Sequence, residues 1–544
     1  MVVILVTITA LAISMMVIPV MLRLAPQLGL VDRPSARKVH QVPMARVGGW
    51  GIVLGALVPL FIWLPLGDPL IQSYLFGAVV LLAFGTWDDS REVGHYPKFL
   101  GQFLAVIPVV YYGDLWVAQF PFMGLEPVPA WFGKPFTVVA IIGVINALNH
   151  SDGLDGLAGG EALLSLIAIL LLGYQANGGP IVFIGAAVVG GVLGFLRYNT
   201  HPAHLFMGDS GSQFLGFTLG FMVVLLTQQT NPALSPAIPA LLLGLPVVDI
   251  ITVLGQRIYH GMNWFKASKN HVHHRLLDLG FSHYQSVVVI YSFQAFLVLF
   301  GVFLCYSWDW LIIGLYLLAH GLLFAVLLYA RRVGWHANRK GGATRRFDKV
   351  INWAATSAFC TRMPVTLAGI VIALVFVLTG AFVSEVPRDF GLMSLALFAV
   401  MVLTFLYRKQ EKPVSARAVI YSTGVFVAYL WSNYTPAFLG LNGYWEIIVY
   451  GLIALLVALS VRCVEDLNFN TSPMDYLIVF ATVMFALALS GNPEKRIISD
   501  VLVKSIILLY GCELVLHRSR SNWNILSAAT VTALGILAYR GLLA

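Results

Sequence analysis

Apolar runs of about 18 to 22 residues recur from one end of this chain to the other, and no other feature narrows its fold as much. An α-helix rises about 1.5 Å per residue, so such a run matches the thickness of a bilayer's hydrocarbon core. Backbone polar groups find no water there, and a helix satisfies them within one segment. The pattern predicts an all-α polytopic membrane protein. Composition agrees: 59% of the 544 residues are hydrophobic and only 11% are charged. Soluble domains carry about 25% charged residues. The first run, "VVILVTITALAISMMVIPVML" from residue 2, shows neither a charged leader nor a small-residue cleavage site, and reads as a retained helix. Cys305, Cys360, Cys463 and Cys512 are scattered without a CxxC pair, which suggests neither a disulfide framework nor a zinc site.

Eleven spans are expected up to residue 330, near 2–22, 48–66, 69–87, 99–112, 135–149, 157–174, 180–196, 212–229, 235–256, 287–304 and 308–330. Seven more follow near 364–384, 389–407, 418–433, 444–461, 474–490, 498–516 and 524–541. The organisation is thus a core of ten to eleven helices over 1–330, a basic linker over 331–360, and an additional transmembrane domain of unknown role over 361–544. Lys and Arg set the orientation. With the N-terminus outside, the inner loops of the first half hold twenty: Arg23, Arg33, Arg37, Lys38, Arg46, Arg91, Lys98, Arg197, Arg257, Lys266, Lys269, Arg275 and eight between Arg331 and Arg362. The outer loops hold one, Lys134. The net charge of +8 is therefore a loop bias beside anionic lipid, and a nucleic-acid partner is not expected.

Four polar motifs fall on the inner side, although the charge count used none of them. "GTWDDSREV" ends the third span, "NALNHSDGLDGLAGG" ends the fifth, "FMGDSGS" precedes the eighth and "HVHH" follows the ninth. One composite site at the inner membrane surface explains their clustering. Asp88 and Asp89 are adjacent carboxylates whose repulsion a divalent cation or a shared proton would offset; alternatively they cap or solvate a helix end. Asn146, Asn149, Asp152 and Asp155 recur at steps of three, which on a helix lines them along one face, unless the segment is only a glycine-rich turn. Asp209 suits Mg²⁺, which takes a few carboxylate oxygens plus substrate phosphates, and equally suits an N-cap of the eighth span. His271, His273 and His274 lie beside Lys266, Lys269 and Arg275, a setting for an anion such as a diphosphate rather than for zinc, or else a solvated loop. Hard oxygen ligands favour Mg²⁺, with Mn²⁺ as the alternative. Carboxylates for a metal and a basic loop for phosphate are the parts of metal-assisted phosphoryl transfer.

These motifs resemble the polyprenyl-phosphate N-acetylhexosamine-1-phosphate transferases. The resemblance rests on "DRPSARKVHQVPMARVGG" (32–49), "DDSREVGHYPKFLGQ" (88–102), "NALNHSDGLDGLAGG" (146–160), "RYNTHPAHLFMGDSGSQFLGF" (197–217) and "HVHHRLL" (271–277), and covers about residues 1 to 330. It implies a multi-pass bacterial inner-membrane enzyme, active at the cytoplasmic face, that binds Mg²⁺, a UDP-N-acetylhexosamine and undecaprenyl phosphate. The sugar 1-phosphate would pass to the lipid phosphate and UMP would leave. By the same resemblance Asp88 and Asp89 match the paired catalytic aspartates, Asp88 being the preferred group to act on the lipid phosphate. Asp209 matches the Mg²⁺ position. Asn149, Asp152, Asp155 and Asn199 match polar positions around metal and nucleotide. His271, His273 and His274 match the diphosphate region, and Lys38 and Lys98 match basic phosphate positions. His283 is expected to take no part.

The H-x-H-H spacing is similar to the WecA-type branch, with UDP-GlcNAc as the expected donor. The alternative within the family is the phospho-MurNAc-pentapeptide transferase; outside it, an ion-coupled transporter. Ser268 and Lys269 depart from an acidic-basic pair, and Ala45 stands where proline is usual. The resemblance does not reach residues beyond about 350, where Glu465 and Asp466 stand alone in a polar loop and an accessory role is expected. A homodimer is compatible with this class.

Overall fold

The computed structural model describes residues 2–32, 43–124, 126–262, 270–337, 358–406, 414–434, 444–462, 472–489, 493–518 and 520–543. Helices make up 82% of it, and the expected all-α class holds. The chain divides into two compact units, Met1–Arg339 with Ser472–Ala481, and Lys340–Thr471 with Thr482–Ala544.

The first unit holds α1 (Val2–Leu28), α2 (Gly48–Trp63), α3 (Pro69–Arg91), α4 (His95–Tyr111), α5 (Ala130–Ser151), α6 (Leu157–Gln175), α7 (Gly179–Asn199), α8 (Gly208–Leu225), α9 (Ile238–Leu243), α10 (Leu245–Tyr259), α11 (Val272–Asp278), α12 (His283–Phe303) and α13 (Asp309–Arg332). Two short antiparallel strands, β1 (Val31–Asp32) and β2 (Met44–Ala45), close the segment between α1 and α2. At the centre stands α8, buried from Ser210 onward, with α6 and α7 nearly so, while α1 and α13 keep most of their apolar surface outward. That gradient suits a bundle in lipid, where outward apolar side chains carry no penalty. Small residues let the inner helices close up. Ser14 on α1, for example, donates to the Gly191 carbonyl of α7 at 3.0 Å. Among the described residues eleven helices are long and apolar enough to cross a membrane, and α2 and α4, at 16 and 17 residues, are shorter.

One expected span, 235–256, is broken. Helix α9 stops at Leu243, Gly244 takes φ +59°, and α10 starts at Leu245. A side chain at Gly244 would meet strained backbone and also the Gln294 amide, whose Oε1 would lie 2.1 Å from a Cβ. Pro246 follows, has no N–H to give, and so cannot knit the two pieces together. A break among apolar helices needs its backbone groups answered by neighbours. Gln294 Oε1 accepts from Leu245 N at 3.0 Å, Tyr316 donates to the Gly244 carbonyl at 3.0 Å, and Gln294 Nε2 donates to Ser165 Oγ at 3.0 Å. Hydropathy averaged over the run hides this break.

Beyond residue 357 all seven expected spans are helices: α14 (Ala358–Phe382), α15 (Arg388–Leu406), α16 (Val414–Asn433), α17 (Tyr444–Arg462), α18 (Pro473–Leu489), α19 (Pro493–Arg518) and α20 (Arg520–Leu543). The core of the second unit gathers Phe376, Ile420, Trp431, Ile453, Leu508 and Trp523. Within it the buried Lys504 is held by Glu446 Oε2 at 2.7 Å and Asp500 Oδ2 at 2.6 Å. Glu465 and Asp466 lie outside the described residues.

Candidate active site

The last turn of α3 carries Asp88 and Asp89. Neighbours on a helix point about 100° apart, so the two carboxylates serve different partners. Asp89 turns to the start of α8: its Oδ1 accepts from Asp209 N at 2.8 Å, and its Oδ2 accepts from Ser210 N at 3.2 Å and Ser210 Oγ at 3.0 Å. The first turn of a helix leaves N–H groups without intrahelical acceptors and carries positive potential. Asp89 therefore does from another helix what a cap residue does locally. Asp209 is not the cap of α8; it is a first-turn residue with its side chain free for other work.

Asp88 faces Lys98, in the first turn of α4, at 2.8 Å, and its other oxygen accepts from Val93 N at 3.0 Å. The Lys98 ammonium also pairs with Asp209 Oδ2. Asn149, near the end of α5, donates to Asp209 Oδ1 at 2.7 Å and to Ser212 Oγ at 2.8 Å. Four helices thus meet in one knot of Asp88, Lys98, Asn149 and Asp209.

This knot lines a cavity of about 720 Å³, within the range of small-molecule sites. Asp32, Arg46, Asp152, Asp155, Asn199, His201 and His283 share its wall. Helix α5 ends at Ser151, so the expected single face of four polar residues is divided. Asn149 and Asp152 reach the cavity. Asn146 instead bonds Gln102 on α4, with Nδ2 to Oε1 at 2.9 Å. Asp152 makes no hydrogen bond or ion pair among the described residues. Burial first, then the charges of Asp209 and Asp155, push its carboxyl up to about 7. The Arg46 charge offsets this only in part. Asp152, Asp209 and Asn149 line the same cavity, and oxygen donors of this kind suit Mg²⁺ better than a thiophilic metal.

Asp155 lies between α5 and α6, and Asn199 is the last residue of α7. Asn199 Oδ1 accepts from Gly156 N at 2.9 Å and its Nδ2 donates to the Leu205 carbonyl at 2.8 Å. Each end of this amide thus holds a loop while the residue lines the cavity. Asp155 Oδ2 accepts from His201 Nδ1 at 2.7 Å and from Ala203 N at 3.2 Å, while Asp155 N donates to His283 Nε2 at 2.9 Å. His283, expected to take no part, is fixed at the N-terminus of α12 and lines the cavity.

The "HVHH" segment is not a loop. Val272–Asp278 is a short helix, and His271 precedes it. Asp249 on α10 accepts from His271 Nδ1 at 2.8 Å and from Val272 N at 3.1 Å, which caps α11 and fixes the ring together. His273 stacks on His271 with centroids 5.8 Å apart and lies against Gly153, where a Cβ would sit 2.4 Å from its Nε2. Burial pushes the His273 ring down to about 3, so it is neutral at pH 7. The three histidines are not among the cavity's lining residues; His273 alone meets its wall, at Gly153. Lys38, Lys266 and Lys269 lie outside the described residues.

A family model described as glycosyl transferase family 4 matches residues 71–227. A probable undecaprenyl-phosphate N-acetylglucosaminyl 1-phosphate transferase of Bacillus subtilis (strain 168) is 33% identical over 278 residues, 51% of this chain and 78% of that protein. The chain belongs to glycosyl transferase family 4. Two further relatives are named undecaprenyl-phosphate alpha-N-acetylglucosaminyl 1-phosphate transferase. That of Escherichia coli (strain K12) is 28% identical over 331 residues, 58% of this chain and 88% of its own. That of Yersinia pestis is 29% identical over 336 residues, 60% and 92%. The family match on residues 71–227 takes in Asp88, Asp89, Lys98, Asn149, Asp152, Asp155 and Asp209 of the cavity wall. Asp249, His201, His283 and Arg46 receive no role from the motifs, although Arg46 and His201 stand within them. Asp249 carries another signal, an acid inside the apolar run "LLGLPVVDIITVL".

Proposed function

We propose that this chain transfers N-acetylglucosamine 1-phosphate from UDP-N-acetylglucosamine to undecaprenyl phosphate, releasing UMP, as the first step of a cell-envelope polysaccharide. The reading places the reaction at the cytoplasmic face of the bacterial inner membrane, on the strength of the charge bias of the loops. The observation that carries it is the knot of Asp88, Lys98 and Asp209 at the cavity, in a member of a family whose named relatives act on this lipid.

In this reading an oxygen of the lipid phosphate attacks the β-phosphorus of the donor. The bond from that phosphorus to the bridging oxygen breaks, and UMP leaves with the oxygen and its electron pair. Asp88 takes the proton of the lipid phosphate or orients it. The Lys98 ammonium offsets charge gathering on the phosphoryl oxygens. Mg²⁺, or Mn²⁺, held by Asp209, Asp152 and Asn149, would supply charge neutralisation on the diphosphate. Asp89 keeps Asp209 in place. His271, His273 and His274 border the diphosphate, with His273 acting as a neutral hydrogen-bonding ring, and Lys38 adds a phosphate contact.

The test is radiolabel transfer by the purified full-length protein with undecaprenyl phosphate, Mg²⁺ and a panel of UDP-N-acetylhexosamines plus UDP-MurNAc-pentapeptide. Label should move to the lipid from UDP-GlcNAc, stop with EDTA and resume with added Mg²⁺. Absence of lipid label with every UDP-N-acetylhexosamine overturns the proposal, and labelling by the pentapeptide donor alone assigns the peptidoglycan branch.

A further inference from the structure

The candidate site holds many more acids than unengaged cations, which is a difficulty for a cavity that receives a diphosphate. Asp32, Asp88, Asp89, Glu92, Asp152, Asp155 and Asp209 all line it. Lys98 is already shared between Asp88 and Asp209. Arg46 is held by Asp32 at 2.8 Å and stands 3.7 Å from Glu92. The His201 ring differs. Its Nδ1 is bound to Asp155, while Nε2 has no partner among the described residues, and the side chain is 40% exposed at the cavity wall.

We propose that His201 receives the uridylate phosphate of the donor through Nε2–H, with Asp155 as its positioning residue. The inference rests on the transfer reaction proposed above. The Asp155 carboxylate on Nδ1 fixes the ring's orientation and leaves Nε2 facing the cavity; with a phosphate there, the doubly protonated ring donates to one anion at each nitrogen. Two further contacts make the arrangement rigid. Ala203 N donates to the same Asp155 oxygen at 3.2 Å, and the His283 ring stacks on His201 with centroids 4.3 Å apart and planes 19° apart. His283 is in turn fixed by accepting from Asp155 N. The oxygen that departs with UMP is met by a charge-assisted hydrogen bond, and no proton has to leave the ring.

The same three side chains bring ligand atoms within 4.8 Å of one another, close enough to hold a cation. The hydrogen bonds favour the dyad. The lone pair of His283 Nε2 is already spent on a backbone N–H, and Asp155 Oδ2 already serves His201 and Ala203.

The test separates the phosphate from the rest of the nucleotide. Binding of UMP and of uridine to the full-length protein is measured for wild type, His201→Gln, Asp155→Asn and the double variant. The loss of one charge-assisted hydrogen bond should weaken UMP about tenfold in His201→Gln while uridine binding stays the same. Asp155→Asn should weaken UMP by less, and the double variant should be no worse than His201→Gln, because the two act as a unit. A distorted cavity would weaken uridine as well, so equal losses for UMP and uridine overturn the dyad, as does unchanged UMP affinity. A zinc-selective chelator should leave wild-type UMP affinity intact; a loss equal to that of His201→Gln would make the site a metal site instead. Wild type that transfers label while His201→Gln binds UMP normally refutes this inference alone. Wild type that neither transfers nor binds UMP refutes the reaction beneath it.

Discussion

Replacing Asp89 and Asp88 separately by alanine should produce two different failures from adjacent residues. Asp89 supplies three acceptor contacts to the N-terminus of α8, to Asp209 N, Ser210 N and Ser210 Oγ, and is 5% exposed. Hydrogen bonds to a charged partner contribute about 1.5–3 kcal/mol each, and buried donors left without an acceptor cost about 1–3 kcal/mol. The contacts share one carboxylate and do not add, so Asp89→Ala should destabilise the protein by roughly 3–5 kcal/mol. Asp88 gives up one backbone contact, from Val93 N, and one ion pair whose lysine keeps Asp209 as a partner. Lys98 keeps Asp209, so removing Asp88 leaves no unpaired charge and the lost pair contributes about 1 kcal/mol. Asp88→Ala should therefore cost about 1–2 kcal/mol. The assay is thermal unfolding of both variants in the same detergent, followed by tryptophan fluorescence, alongside transfer activity. Both variants should lose transfer, but only Asp89→Ala should unfold at a clearly lower temperature. Equal unfolding midpoints would refute the division of labour between the two aspartates.

Asp209→Asn should abolish transfer while the protein still inserts and keeps its wild-type elution profile; full activity would remove Asp209 from the mechanism. Gln294→Leu leaves Leu245 N without its side-chain acceptor at the break between α9 and α10, and should cost about 1–3 kcal/mol, read as a lower unfolding midpoint. His273 should give stability a pH dependence. Its folded value, near 3, lies below the unfolded value of 6.5, so the unfolded chain binds the extra proton. The associated stability is complete above about pH 6.5 and falls away as the pH drops toward 3. By pH 5 the loss is about 2 kcal/mol. Asp152, raised toward 7, contributes with the opposite sign in every variant, so the measured quantity is the difference between wild type and His273→Gln at pH 7.5 and at pH 5. A constant difference would show that the ring is not buried neutral.

The helices and the gathering of polar motifs were legible because both are local quantities. Window hydropathy locates a span, and the Lys and Arg of adjoining loops assign motifs to one side, without knowledge of any contact. The family was legible for the same reason, in motifs of a few residues each. The roles within the site were not local. Asp89 and Asp209 are 120 residues apart, Asn149 and Asp209 60, Asp155 and His283 128, and Asp249 and His271 22. A sequence states that "DD" holds two carboxylates, but a helix turns by about 100° per residue, so the packing of α8 against α3 decides which one is a cap and which faces the cavity. The same holds for Asn199, which reads as a ligand and serves as a strut, and for His283, which reads as a bystander and stands in the wall. Composition and periodicity determined that this chain is a bundle of membrane helices with its chemistry at one end. Tertiary structure alone decided which polar groups are spent on holding that end together and which are left to meet a substrate, because a hydrogen bond belongs to whatever partner the fold brings within about 3 Å.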